Sequence, residues 1–297
     1  MFVLIGTVPD SAFPLVSGYP TVEGSSLSVL GNKASVNRGT PALVAAAGSA
    51  CKILGTPAPY CVLVGDEGTG HGSKRLYEHL LAHLASMNAR VITFHYLQPD
   101  VDWHNKILFR LEEEPSLPVL IADAGYMYMA KMSGLAKRYD LFTPDIGELA
   151  FLADEIAPHP FYTRGFILHE NQKVPDLIKR AFLGENAART LLVKGAVDYV
   201  CNEQGIVATV ESPSIGAMEP IGGTGDTLTG VAAALVYAGY PPADAARMAA
   251  RTNRVAGRYA DPPPATQVCE IIRYISTALE KVLHEEVCSK GDARVGL

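Results

Sequence analysis

The chain has few of the features that mark several common protein classes. It contains five cysteines, Cys51, Cys61, Cys201, Cys269 and Cys288, an odd number without a Cys-x-x-Cys pair. This argues against a fully paired disulfide framework or a thiolate metal knuckle and fits reduced thiols in a cytoplasmic protein. No run of eighteen apolar residues appears, so no membrane-spanning helix is expected, and the short apolar start Met1 to Gly6 lacks the basic region of a secretory signal. Positive charge is not in excess: the formal net charge is −6, which supplies no general basic field for nucleic acid. Trp103 is the single tryptophan and reads equally as a stacking surface and as packing. Apolar residues are abundant at 48% and charged ones make up only 19%, so 297 residues can bury a substantial core. Small-molecule partners are therefore expected.

Strand and helix patterns alternate along most of the chain. Segments at 60–64, 90–96, 118–122, 139–142 and 188–194 read as strands, and several are followed by glycine or an acid and then by a helical pattern. Alanine-rich segments at 42–54 and 243–258 read as buried helices, and 268–287 as a final amphipathic helix. Residues 199–210 read as a hairpin around Asn202-Glu203-Gln204-Gly205. This order implies an α/β fold with a mainly parallel sheet. Residues 1–38 read as short strands or an irregular N-terminal arm, and 155–177, with Pro158, Pro160 and Gly165, as an insertion or lid on a single domain covering 1–297.

The most informative stretch is Gly222-Gly223-Thr224-Gly225-Asp226, which precedes an apolar helix. Glycines at a helix start allow close backbone approach, and the unpaired amides there attract an anion such as phosphate. Asp226 is either a cap for that helix or a general base beside the anion hole. The glycines favour the base, because a cap alone needs no such approach. Asp123 ends a strand, at the end of a parallel sheet that faces ligands. Lys194-Gly195 ends another and can meet phosphate as a point charge. Gly68 and Gly70 lie in a glycine-rich loop after a strand, read with equal weight as a ligand loop and as a connection. Asp145 and Glu148 have the spacing of a helix cap and its third position, and near a nucleotide the pair could organise Mg²⁺-bound water. His95 and His104 show no metal-ligand spacing and read as structural histidines.

Taken in order, Pro118 to Gly125, Thr143-Pro144-Asp145-Ile146-Gly147-Glu148, Leu192-Val193-Lys194-Gly195 and Gly222 to Asp226 resemble the successive signatures of the ribokinase-like superfamily. Within it they are most similar to the ADP- or ATP-dependent NAD(P)H-hydrate dehydratases. The resemblance is carried by residues 118–258, and Gly-Thr-Gly-Asp is its specific part. It implies a three-layer α/β/α fold without the small lid sheet of larger sugar kinases. It also implies ADP or ATP as cofactor, with Mg²⁺, and phosphate held by Gly222, Gly223, Thr224 and Gly225. Asp226 matches the family's catalytic aspartate. The resemblance implies Lys194 and Gly195 near the nucleotide and matches Glu148 to the family's glutamate, expected to reach metal through water; Asp123, Gly68, Gly70 and Asp145 are, from their places in the chain, the expected substrate contacts. The implied reaction is phosphoryl transfer to the hydroxyl of hydrated NADH or NADPH, followed by elimination.

This chain departs from the family pattern at Ile121, Tyr126, Asp145 and Ile146. Two alternatives therefore stand beside the dehydratase: an ATP-dependent kinase for a sugar or a hydroxyethylthiazole-like alcohol, and a nucleotide-binding sensor without turnover. A homo-oligomer without nucleic-acid or membrane partners is expected.

Overall fold

The computed structural model describes residues 1–155 and 174–295. Five strands open the chain: β1 (Phe2–Val8), β2 (Val16–Gly18), β3 (Pro20–Glu23), β4 (Ser26–Val29) and β5 (Asn32–Ser35). Helix α1 (Gly39–Leu54) follows, then β6 (Tyr60–Gly65), α2 (His71–His83), β7 (Val91–His95), α3 (Val101–Glu112), β8 (Val119–Ala122), α4 (Gly125–Met132), β9 (Leu141–Phe142) and α5 (Ile146–Ala153). After α6 (Val174–Leu183) come β10 (Thr190–Val193) and the hairpin β11 (Asp198–Asn202) and β12 (Gly205–Val210). Helices α7 (Thr224–Tyr237), α8 (Pro242–Ala260), α9 (Val268–Ile272) and α10 (Ile275–Val295) end the described chain.

Nine strands form one sheet in the order β12-β11-β10-β9-β8-β7-β1-β6-β2. The six from β10 to β6 are parallel, and the antiparallel hairpin and β2 flank them. Strands covered on both faces must be apolar throughout, and β1 and β10 are buried at every residue. Side-chain alternation divides them: Leu4, Leu63 and Ile121 face the layer of α1, α7, α8 and α10, whereas Ile5, Val64 and Leu120 face α2 to α6. The result is the expected three-layer α/β/α arrangement with a mainly parallel sheet.

Three details differ from the sequence reading. Of the two readings of the first 38 residues, the short strands hold and the arm does not, because β1 lies inside the sheet between β6 and β7. Strands β3, β4 and β5 make a separate antiparallel sheet, the accessory element that the family resemblance had implied to be missing. These strands are short and rich in serine, which gave them little periodic signal. The final amphipathic stretch breaks between α9 and α10, where Arg273 ends one helix and Tyr274 precedes the next. The candidate lid at 155–177 lies largely outside the described residues.

Two helices bear directly on the site. Their small residues let α1 and α7 approach until a methyl at Gly230 would lie 2.3 Å from the Leu43 carbonyl oxygen. Only glycine fits there. The crossing fixes the start of α7 against the start of α1.

Candidate functional site

Helix α7 begins at Thr224, three residues earlier than the sequence suggested. Its cap, Gly223, has φ 96°, a backbone region that favours glycine, and no side chain caps the helix. A Cβ at Gly223 would also meet Val268 Cγ1 at 2.9 Å and Arg38 Cα at 3.1 Å. The first-turn amides lack intrahelical acceptors by geometry, so this start can receive an anion.

Asp226 does not cap its own helix. Its Oδ2 accepts the Gly39 N–H at 2.6 Å, and Gly39, with φ 67°, is the first residue of α1. Its Oδ1 meets His95 Nε2 at 3.1 Å. The carboxylate therefore lies where two helix starts converge, with the residue 8% exposed. Burial alone would raise its pKa, but the His95 hydrogen bond and charge, Lys194 and the Gly39 amide together hold it below the ordinary value.

The other groups arrive from strand ends. His95 ends β7, Asp123 follows β8 and Lys194 follows β10. Lys194 Nζ donates to both Asp123 oxygens at 3.0 Å. Asp123 also accepts from Ala124 N at 2.8 Å and, through Oδ2, from Thr229 Oγ1 at 2.6 Å. Thr229 lies one turn beyond Asp226 on α7, so one helix face carries both the candidate base and a clamp on Asp123. Burial would lower the Lys194 pKa, but Asp123, Glu148 and Asp226 raise it overall, keeping the ammonium charged. Lys194 also lies against the glycine turn, since a Cβ at Gly225 would be 3.5 Å from its Nζ. Uncapped amides beside a fixed cation suit a nucleotide phosphate.

Gly195 follows Lys194, and its N–H donates to Asp198 Oδ1 at 3.1 Å. Arg254 of α8 holds this turn through Asp198 Oδ2 at 2.7 Å and the Gly195 and Ala196 carbonyls at 2.9 Å. Asp145 and Glu148 form a reciprocal capping box at the start of α5. Asp145 is exposed and bridges to Lys194 through the backbone. The loop with Gly68 and Gly70 is arranged differently: both amides donate to Asp66 Oδ1 at 3.0 Å, and Asp66 also accepts from Ser73 N and Oγ. These amides are committed within the loop, which contacts the rest of the site's surroundings through Gln98.

Glu148 is half-buried, and desolvation, with Asp123 and Asp145 adding and Lys194 opposing, pushes its pKa from 4.5 to about 8. Between those values the folded chain binds more protons than the unfolded chain, whose glutamate titrates near 4.5. This residue therefore makes stability fall as pH rises through that window. Glu148→Gln is expected to flatten that slope, measured by urea unfolding at a series of pH values; an unchanged slope would place the titration elsewhere.

The ligating atoms of His95, Asp123 and Asp226 lie within 4.8 Å of one another. That trio does not fit a metal, because Lys194 already occupies Asp123 and the remaining contacts bind the three groups to one another and to Gly39 and Thr229. Glu148 accepts from Asp145 N through Oε2 at 2.8 Å, and its other oxygen suits a hydrogen bond from a metal-bound water. A cavity of about 450 Å³ lined by Arg90, Val91, Pro118 and Val119 lies at the opposite, amino ends of β7 and β8 and contains none of these groups.

Sequence reasoning missed His95, Gly39 and Thr40. His95 satisfied the strand-end rule that found Asp123, whereas no local signal connects residue 39 with 226.

Known proteins place this arrangement in context. The chain is 39% identical over 223 residues to the uncharacterized protein MJ1337 of Methanocaldococcus jannaschii, covering 75% of this chain and 91% of that one. Its structure is similar to a ribokinase-like superfamily protein of Enterococcus faecalis V583, with TM-score 0.58 and 16% identity over 95% of this chain and 87% of that one. It also resembles pyridoxal kinase of Staphylococcus aureus solved with AMP-PCP and pyridoxal, with TM-score 0.53 and 12% identity over 86% and 88% of the respective chains. These two likenesses concern the fold. A carbohydrate-kinase family model, described as NAD(P)H-hydrate dehydratase, matches residues 97–277. The chain therefore belongs to this family and is a nucleotide-using enzyme of the ribokinase-like superfamily.

Proposed function

We propose that the enzyme transfers the γ-phosphoryl group of ATP to a hydroxyl of a small polar alcohol. The observation that carries this reading is Asp226: a buried carboxylate held below its ordinary pKa, next to an uncapped glycine turn and Lys194. An ionised acid can accept a proton, and the neighbouring amides and ammonium are placed for the phosphates. As the acceptor oxygen bonds to phosphorus, its proton passes to Asp226. The bond from the γ-phosphorus to its bridging oxygen breaks, and the electron pair leaves on ADP. Mg²⁺ bound with the nucleotide would neutralise phosphate charge, with Glu148 the residue suited to accept from one of its waters.

The accessory sheet β3–β5 favours a kinase, since the resemblance associates such an element with larger sugar kinases. The second reading is NAD(P)H-hydrate dehydration, favoured by the family's description. It shares the proton transfer and adds elimination of the phosphorylated hydroxyl. The departures at Ile121, Tyr126, Asp145 and Ile146 count against that substrate.

The two readings are separated by incubating the enzyme with Mg-ATP and a panel of sugars and vitamin-precursor alcohols, with NADH hydrate in a parallel arm containing ATP or ADP. Accumulation of a phosphoester with one ADP per product is expected. Recovery of dihydronicotinamide absorbance with phosphate release would replace the kinase by the dehydratase. Nucleotide-dependent turnover in neither arm would overturn both.

A further inference from the structure

We propose that His95 is a positioning residue for the Asp226 base, fixing its orientation through a buried Thr40–His95–Asp226 chain. The inference rests on the phosphoryl-transfer reading above and adds a residue to its machinery. His95 is 1% exposed and bonds at both ring nitrogens: Nδ1 is 2.9 Å from Thr40 Oγ1, and Nε2 is 3.1 Å from Asp226 Oδ1. Nε2 also faces Asp123 Oδ2 at 3.8 Å. A nitrogen facing two carboxylates carries the proton and donates to the nearer one. Thr40 can serve either charge state of the ring: its hydroxyl donates to Nδ1 of a neutral imidazole and accepts from Nδ1 of an imidazolium.

The order hydroxyl, imidazole, carboxylate resembles a nucleophilic triad, but burial excludes that role. Thr40 is 0% exposed, so no substrate reaches its oxygen. The accessible end is Asp226, whose side chain retains 11% exposure. The chain therefore works toward the carboxylate: the Gly39 amide fixes one oxygen, His95 fixes the other, and the remaining lone pairs face the acceptor. Gly6 makes room for this arrangement, because a Cβ there would be 2.5 Å from both Thr40 Oγ1 and the His95 carbonyl oxygen. Three segments, β1, the start of α1 and the end of β7, are thus shaped around one imidazole.

The titration of Asp226 reports the interaction. The charged or titratable groups facing it are His95 at the end of β7, Tyr96 just after it, Asp123 after β8 and Lys194 after β10; the Gly39 amide comes from α1. Its own helix contributes no other charged group in the first turn. Replacing His95 by an apolar side chain removes the donor and leaves only Lys194 and the Gly39 amide to offset burial, so the base should protonate at higher pH.

The test compares pH profiles of kcat/KM for wild type, His95→Leu, His95→Gln, Thr40→Val and Asp226→Asn, with thermal unfolding of each. In His95→Leu the acidic limb is expected to move up by about one pH unit, with kcat at neutral pH down about tenfold and nucleotide Kd within about twofold. Glutamine can place an amide donor near the former Nε2, so His95→Gln should return the limb toward its wild-type position. Thr40→Val, which keeps the imidazole, should move it in the same direction by less. If His95→Leu does not fold, Thr40→Val and His95→Gln still decide the matter. An acidic limb unmoved in every folded variant, or moved as far by glutamine as by leucine, would overturn the inference while Asp226→Asn remained inactive. Normal turnover by Asp226→Asn would instead overturn the phosphoryl-transfer reading on which it rests.

Discussion

Asp226→Asn is expected to lower kcat by about 10³-fold while leaving nucleotide Kd within about twofold of wild type. The substitution preserves shape. Asparagine can still accept the Gly39 N–H through its oxygen, and its amide can face His95 if the ring proton moves to Nδ1, where Thr40 can accept it. The start of α7 therefore keeps its place, and the amides of Gly223 to Gly225 remain available to phosphate. What disappears is the group that accepts the acceptor's proton. Single-turnover chemistry measured beside equilibrium nucleotide binding separates the two effects. Turnover within tenfold of wild type would remove Asp226 from the role of base.

The second large effect concerns stability as well as binding. Lys194 is the only cation hydrogen-bonded to Asp123 among the described residues, and Asp123 is 1% exposed. Lys194→Met keeps much of the side-chain volume but leaves that carboxylate buried and uncompensated. A loss of about 3–5 kcal/mol in unfolding free energy is expected, together with at least tenfold weaker nucleotide binding. Adding Asp123→Asn removes the stranded charge and should recover most of the stability without recovering affinity. Urea unfolding and nucleotide titration of both variants check the separation. A single variant as stable as wild type would show that Thr229 and the Ala124 amide suffice for Asp123.

The central architecture was legible because buried parallel strands must be apolar on both faces, and the runs at 61–64, 119–122 and 191–193 are. Asp123 and Lys194 were legible by position, as groups leaving strands on the ligand side of the sheet. Glycine spacing marked the start of α7. His95 leaves β7 in the same manner as Asp123 leaves β8, yet a histidine examined for metal spacing gives no sign of a carboxylate that arrives from residue 226. Gly39 is more remote still: its hydrogen bond spans 187 positions, and only the α1–α7 crossing brings the ends together. The glycine-rich loop, open on sequence between a ligand loop and a connection, commits the Gly68 and Gly70 amides to Asp66, a local arrangement that glycine spacing alone does not specify.

The convergence of two helix starts on Asp226 has a consequence for how the molecule can come apart. A helix terminus ordinarily frays before the domain unfolds. The first turn of α1, however, is fastened to a carboxylate on α7, and the crossing at Gly230 locks the two helices a turn farther on. Opening one terminus strands the other, so both ends belong to the same cooperative unit as the sheet beneath them. The Asp226 site is thereby lost with the core and not ahead of it.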